Sequence, residues 1–587
     1  MKNIFKYASA GIFILALAIL SNIGKNFYAL LHNNSEGELL SIFFIISSLF
    51  LLSFLVFYLS HLIKIPSFVV AIILGISAKP LLVPIVHHEA VLAAIVGIGA
   101  TLILFSGGLE IPFKNFKKLI WKISAISFFG LFITAFLFSW ITWLLAPTFG
   151  LPISIITAVL LGALLASTDP AAIIPVLKKL RFKNRSLKEI IISESAVTDV
   201  VGTLMTMVFL ALALANTNLS SINNWYLAIF SQESAIVLSK QLLFGALLGF
   251  AGYFFLEILL RFKKTHGQEF EADSAFFISI PIIIFTFAIF MGGSGYLAAF
   301  AAGLIFHITE HLRETEKFFN NLVDGFMKPI IFILLGALVD LPSLIHYAPI
   351  GIVIALVFMF IIRPIAVFLS LGIFTKIGKE KLSLRDLLFI SFVRETGAIP
   401  AVLMLTIVAL GIPQTEGLIE IGMWSILLTL IIEPIFTPFV AKYLKVAEIM
   451  KDDEEIVLRN IPAVMLVTRG TSFMDRFSFV NDWAVKHDID KVIVMLCLED
   501  KYTKKREKEI ASGAEELFKK TKLEMKKMFP GKKPIYRFIS RKGSLTDNIN
   551  TISKKDHRIV SIFVGKKMLD FYPEEIKELS IPFYFID

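Results

Sequence analysis

Apolar stretches of membrane-crossing length follow one another along most of the chain, at about 7–23, 39–62, 66–84, 90–109, 118–146, 152–178, 188–215, 237–261, 275–291, 294–307, 325–340, 345–375, 385–411 and 416–444. A helix that crosses the hydrocarbon core needs about 20 mainly apolar residues, and lipid offers no partner for backbone N–H and C=O groups. These runs therefore restrict residues 1–444 to an all-α polytopic membrane protein of about 13–14 helices, the shortest runs being tilted, broken or re-entrant. Hydrophobic residues make up 56% of the 587, and the mean hydropathy is +0.77, which excludes an ordinary soluble enzyme. The net charge of +10 has the sign of a nucleic-acid binder. Its placement, in loops and in the C-terminal tail, argues against a nucleic-acid partner. One cysteine, Cys497, excludes an intramolecular disulfide. The start, Met1-Lys2-Asn3-Ile4-Phe5-Lys6 and an apolar run, resembles a signal peptide, but no small-x-small cleavage site follows and a retained first helix is expected.

Charge gives the orientation. With the N-terminus on the cytoplasmic side, successive inner loops hold Lys114, Lys117 and Lys118; Lys178 to Lys188; Arg261, Lys263 and Lys264; Arg313 and Lys317; then Lys376, Lys379, Lys381 and Arg385. The outer loops hold almost none, Lys25 being the exception. The positive-inside rule then places a multi-pass protein in the cell (inner) membrane with a cytoplasmic C-terminus. Beyond a linker over 445–460, which contains Lys451-Asp452-Asp453-Glu454-Glu455, residues 461–587 alternate strand-length apolar runs with amphipathic helices. That alternation predicts a small α/β domain with a mostly parallel sheet.

Two halves of the membrane region echo each other. Leu102-Ile103-Leu104-Phe105-Ser106-Gly107-Gly108-Leu109-Glu110-Ile111 is similar to Ile331-Phe332-Ile333-Leu334-Leu335-Gly336-Ala337-Leu338-Val339-Asp340-Leu341. Two segments further along each half, polar and helix-breaking residues interrupt a span: Ser167 to Pro175 in the first and Arg394-Glu395-Thr396-Gly397-Ala398-Ile399-Pro400 in the second. Corresponding broken helices in oppositely oriented repeats mark the binding site of a transporter.

The stretch from Leu160 to Gly202 carries the chemistry. Asp169 sits beside a proline in mid-span, and the next span holds Glu194-Ser195-Ala196-Val197-Thr198-Asp199. A charge near the bilayer centre costs about 2.5–3.5 kcal/mol on insertion scales, so such residues face the protein interior and pair or bind an ion. Proline frees carbonyls that then need partners. Carboxylates, hydroxyls and freed carbonyls are hard oxygen ligands, suited to a small cation. Asp199 is the principal candidate. Burial disfavours its anion, so a proton or a metal ion must neutralise it, and the two compete. The bland alternative is a structural aspartate bonded to a neighbouring hydroxyl.

Ser167-Thr168-Asp169-Pro170, Glu194-Ser195-x-x-Thr198-Asp199, Arg363-Pro364, the Arg394-to-Pro400 segment and Gly292 to Leu304 together resemble the monovalent cation/proton antiporter superfamily, in particular the sodium/proton exchangers of the NhaP/NHE type. The resemblance covers roughly residues 40–444 and implies the NhaA-like antiporter fold, with inverted repeats and two crossing broken helices. It also implies exchange of Na+ or Li+ for H+ by alternating access, a homodimer, and no cofactor beyond the transported ions. Asp199, Ser195 and the Thr168 carbonyl would hold the monovalent cation, with Asp169 and Thr198 close by. Glu194 and Arg363 would form a buried ion pair that leaves Asp199 alone to exchange, one cation per proton. The residue before the key aspartate is usually Asn or Asp in this family; here it is Thr198. The departure leaves K+/H+ exchange as the alternative.

Other residues allow two readings. Asp169 either meets the ion or offsets helix dipoles, and Ser195 is either a ligand or a packing hydroxyl. Arg394 either stabilises carbonyl ends at the crossing or faces the inner vestibule. Glu110, at a helix end, is either an entrance carboxylate or a solvated cap. His307-Ile308-Thr309-Glu310-His311 fits the H-x-x-E-H protease pattern, but no third ligand is evident. His87-His88 in an outer loop reads as an exposed pair. A gated cation channel would offer a carbonyl-lined filter, and the chain has no T-V-G-Y-G segment. The tail has neither G-x-G-x-x-G nor a Walker A sequence; Thr468-Arg469-Gly470-Thr471-Ser472 after its first strand is a candidate phosphate loop or a plain connection. A regulatory tail that takes a small molecule or nucleotide is the corresponding expectation.

Overall fold

A computed structural model describes residues 2–32, 37–63, 65–111, 113–168, 174–178, 180–215, 219–266, 273–306, 313–376 and 381–449. In the tail it describes 462–468, 474–487, 489, 491–498, 504–528, 534–542, 544, 546, 548–549, 558–565 and 583–586. The chain divides into two compact units, Met1–Ile449 and Met450–Asp587.

The first unit is a helical membrane bundle. It opens with α1 (Lys2–His32), α2 (Gly37–Ile63), α3 (Ser67–Val86) and α4 (Glu89–Glu110). Next, α5 (Phe113–Ser124) passes through a π turn, Ala125–Gly130, into α6 (Leu131–Leu145). The first interrupted span is α7 (Ile155–Leu165) and α8 (Ile174–Lys178), followed by strand β1 (Leu180–Phe182) and the long α9 (Arg185–Leu214). Then come α10 (Ile222–Ala228), α11 (Gln232–His266), α12 (Asp273–Phe290) and α13 (Gly295–Ile305). Helix α14 (Arg313–Leu322) reaches α15 (Lys328–Leu338) through a π turn, Val323–Met327, and α16 (Leu341–His346) follows. A further π turn, Phe358–Ile362, joins α17 (Ala348–Val357) to α18 (Arg363–Leu371). The second interrupted span is α19 (Leu384–Phe392) and α20 (Ala398–Ala409), and α21 (Leu418–Tyr443) leads to strand β2 (Ala447–Ile449). Among the described residues ten helical spans are long and apolar enough to cross a membrane, and four shorter apolar helices accompany them. Large apolar side chains on outward faces, such as Phe54, Phe254, Phe287 and Phe439, are exposed and supply a lipid-facing surface.

Lipid gives helices no hydrophobic reason to associate, so small residues that let backbones approach carry much of the packing. A Cβ on Gly75 of α3 would lie 2.1 Å from the Ile333 carbonyl oxygen of α15, and one on Gly336 of α15 would lie 2.2 Å from that of Ile72. The same reciprocal fit joins α4 to α13, with Gly108 against Phe300 and Gly303 against Phe105.

Several sequence expectations are corrected here. Residues expected in inner loops lie on helices: Lys114, Lys117 and Lys118 on α5, Arg261, Lys263 and Lys264 on α11, Arg313 and Lys317 on α14, and Arg385 on α19, because the helices run on beyond their apolar stretches. The Lys178–Lys188 connection and the start of the expected linker are also structured. Leu180, Arg181 and Phe182 pair antiparallel with Ile449, Glu448 and Ala447, a short pairing between distant segments that no local period announces.

In the second unit, β3 (Pro462–Thr468), β4 (Lys491–Leu498), β5 (Ile535–Lys542), β6 (Arg558–Gly565) and β7 (Phe583–Ile586) form one parallel sheet in the order β5-β4-β3-β6-β7. Alternate residues enter two cores: Val464, Leu466, Val492 and Val494 pack on one face with α22 (Met474–Lys486) and α23 (Lys504–Met528), and Ala463, Met465, Ile493 and Met495 on the other. Burial on both faces explains why these strands read as continuous apolar runs.

Candidate functional site

Helix α7 starts on Ser154, whose hydroxyl accepts the Thr157 amide at 2.9 Å, and ends at Ala166. Ser167 and Thr168 leave helical geometry and are buried. Helix α9 starts on Asn184, which caps the Ser186 amide, and runs unbroken past the interruption. Residues three and four apart share a helix face, so α9 presents Ser195, Thr198 and Asp199 together.

The two segments meet through oxygen atoms. The Ser167 hydroxyl donates to Asp199 Oδ1 at 2.5 Å, and the Ser195 hydroxyl donates to the Thr168 carbonyl at 2.5 Å. Thr198 Oγ1 donates to the Ser195 carbonyl at 2.8 Å and lies 2.8 Å from Thr168 Oγ1. A hydroxyl has one hydrogen, so Thr168 is the donor in the second contact. Gly202 admits this approach, because a Cβ there would come within 3.0 Å of Ser167 Cβ. Asp199 is 8% exposed, and the four hydroxyl residues are buried at least as deeply. The result is a compact set of carboxylate, hydroxyl and carbonyl oxygens. Among the described residues no three His, Cys, Asp or Glu side chains gather to hold a metal. Among the described residues the cluster has one carboxylate beside neutral oxygens, a set that suits a small monovalent cation better than a divalent one.

Glu194, on the adjoining face of α9, receives Arg363 Nη2 at 2.5 Å, with both residues almost wholly buried. Arg363 is the first residue after the π turn Phe358–Ile362. Such a turn shifts the direction in which following side chains point.

The second break, residues 393–397, is held from both sides. The Arg394 guanidinium donates to the Ala166 carbonyl at the end of α7 and to Thr134 Oγ1 at 3.4 Å, and lies 5.6 Å from the centre of the Phe358 ring. Of the two sequence readings, the carbonyl end is therefore its position. The Arg394 backbone amide donates to Glu433 Oε2 at 2.7 Å, and Thr396 meets Thr429 with Oγ1 atoms 2.6 Å apart. Glu433 and Thr429, one turn apart on α21, thus hold the interrupted backbone. Sequence reasoning passed over Glu433, although a glutamate inside the apolar run 416–444 was the available signal.

The remaining candidates lie apart or outside. Glu110 is exposed as the last residue of α4. His87 ends α3, and His88 Nδ1 accepts the Val91 amide at 3.4 Å as the cap of α4. Asp169, His307 to His311 and Arg469 to Ser472 lie outside the described residues.

Paired interrupted helices beside a buried oxygen cluster define a polytopic helical membrane protein of the discontinuous-helix class. More narrowly, the chain belongs to the sodium/hydrogen exchanger family, whose transmembrane-region model matches residues 47–443. Over 335 residues it is 26% identical to the K(+)/H(+) antiporter NhaP2 of Shewanella oneidensis, covering 57% of this chain and 54% of that one. Over 292 residues it is 25% identical to the probable Na(+)/H(+) antiporter 2 of Methanocaldococcus jannaschii, covering 47% of this chain and 64% of that one. The chain thus spans between half and two-thirds of the length of these curated relatives. Among solved structures, the sodium proton antiporter MjNhaP1 from Methanocaldococcus jannaschii shares the fold, with a TM-score of 0.54, 24% identity, and coverage of 67% of this chain and 99% of that one.

Proposed function

We propose that this protein exchanges a monovalent cation, Na+ or Li+, for H+ across the membrane by alternating access around Asp199. The observation that carries the reading is the cluster of Asp199, Ser195, Thr198 and Thr168, in which, among the described residues, Asp199 is the one carboxylate. A proton or a cation can neutralise that carboxylate, and an uncompensated charge in a low-dielectric interior is costly, so turnover requires one occupant or the other. The Thr168 carbonyl and the Ser195 and Thr198 hydroxyls are proposed as ligands, and Asp169 as a neighbouring charge. Glu194 and Arg363 are the fixed pair. With Glu194 held by Arg363, Asp199 alone is left to exchange, one cation per proton, and no net charge moves. The family membership and the names of its relatives support the same class of activity.

A second reading, K+/H+ exchange, has support in the K(+)/H(+) name of the Shewanella relative and in Thr198 standing where Asn or Asp is usual. We place the protein in the cell membrane as a homodimer, with residues 461–587 cytoplasmic and regulatory through a small-molecule or nucleotide ligand. The test is exchange in proteoliposomes driven by a pH gradient, with Na+, Li+ and K+ compared and with Asp199→Asn alongside. Retained exchange by the Asn protein would rule out the mechanism, and the ion comparison decides between the two readings.

A further inference from the structure

Three chain segments far apart in sequence border an open surface concavity of about 880 Å³ in the first unit, away from the oxygen cluster. One wall is the start of α9 (Lys183, Asn184, Ser186), the second the start of α19 (Lys381, Ser383, Leu384, Arg385, Asp386), and the third the end of α21 (Lys445, Val446). Lys183, Lys381, Arg385 and Lys445 thus bring four cationic side chains to one concavity, and among the described residues none of the four is in an ion pair. The one carboxylate there is already engaged: Asp386 accepts the Ser383 amide at 2.9 Å and Asn184 Nδ2 at 3.4 Å in a capping box. Both α9 and α19 point their N-termini at the concavity, adding partial positive charge.

Basic residues on one side of a membrane protein are ordinary; Lys445 is not. It ends α21 in a left-handed conformation, φ 56°. The Val446 amide bonds the Ala441 carbonyl and the Lys445 amide bonds that of Lys442, the pattern in which glycine is the usual residue. A lysine there accepts backbone strain that glycine avoids, and its side chain lines the concavity. Strain of this kind collects at ligand sites.

We propose that this concavity binds a phosphate-bearing anion, held by Lys381, Arg385 and Lys445 with Lys183 at its margin. The chemistry is that of a phosphate group, carried either by a soluble molecule or by a lipid head. The bound anion would join the start of the helix that bears Asp199 to the start of the span that breaks at Arg394. The binding does not depend on the exchange reading.

Two measurements on the full chain test it. In phosphatidylcholine nanodiscs, pyrophosphate is titrated by calorimetry; in nanodiscs that also contain phosphatidylglycerol, retained lipid is counted by native mass spectrometry. Binding in the first identifies a soluble source, and selective retention in the second a headgroup. The variant K381Q/R385Q/K445Q is expected to weaken binding roughly tenfold for each cation removed. Lys445→Gly is expected to raise thermal stability, by relief of strain, while weakening binding, which separates a ligand from a structural residue. The proposal is overturned if neither arm shows binding, or if either variant binds as the unmodified protein does.

Discussion

The guanidinium of Arg394, in the second interrupted span, donates to the carbonyl of Ala166, the residue that ends the first half of the other. One side chain therefore closes the crossing between the two breaks. A helix that stops inside a membrane leaves carbonyls without partners and a negative dipole end, and a cation at that end answers both. The same residue's amide is satisfied by Glu433 from a third helix. Arg394→Gln should lower stability by about 1–3 kcal/mol, because it leaves the buried Ala166 carbonyl without its donor. Glu433→Gln should cost less, since its amide oxygen still accepts from the Arg394 backbone. Thermal unfolding of the parent and the two variants in detergent checks both, and an Arg394→Gln midpoint equal to the parent's would refute the part given to the guanidinium.

At the oxygen cluster, Asp199→Asn should fold as the parent does, because the Asn oxygen can still accept from Ser167, and it should abolish exchange. Ser195→Ala tests a neutral ligand. Loss of one hydroxyl is worth about 1–2 kcal/mol, so half-saturating cation should rise roughly 5- to 30-fold with the maximal rate little changed. A rise in neither quantity would remove Ser195 from the ligand set.

For the buried pair, Glu194→Leu or Arg363→Met alone should destabilise by about 3–5 kcal/mol, while the double change should cost much less, because a matched apolar pair leaves no buried charge behind. The proposed one-for-one exchange also makes an electrical prediction. Exchange rates should be insensitive to an imposed membrane potential, as measured with valinomycin-clamped vesicles. A potential-driven rate would mean that a second group titrates in the cycle.

The parts of this architecture legible in the sequence are those with a local signature. Apolar runs mark the spans, and Ser167-Thr168 and Arg394 to Gly397 mark the breaks, because a polar residue in a lipid-length segment must find its partner inside the protein. The link between Glu194 and Arg363 came from family resemblance, and both side chains do meet. Spacing alone cannot pair residues 169 positions apart. What stayed hidden depends on long-range geometry. The π turn that aims Arg363 has no residue code, the pairing of Leu180–Phe182 with Ala447–Ile449 joins two unremarkable tripeptides, and Glu433 acts through a backbone amide that sequence does not advertise.

Gly107, Gly108 and Gly336 lie in the echoing segments, and two of them let backbones meet. Gly336 lets α15 meet α3 at Ile72, where Gly75 answers from the opposite side against Ile333; Gly108 does the same between α4 and α13, with Gly303 answering. In each case the obstacle to a side chain is backbone, which cannot rotate away. Gly75→Ala and Gly336→Ala should therefore each force α3 from α15 and cost about 1–3 kcal/mol. Together they should cost less than the sum, since helices already parted by the first methyl have room for the second. Gly97→Ala is the control: nothing lies within 4 Å of its added Cβ, and alanine is the better helix former by about 1 kcal/mol, so its midpoint should stay level or rise. Unfolding midpoints in one detergent decide the matter, and equal midpoints for all three single variants would show that close approach contributes nothing to this bundle.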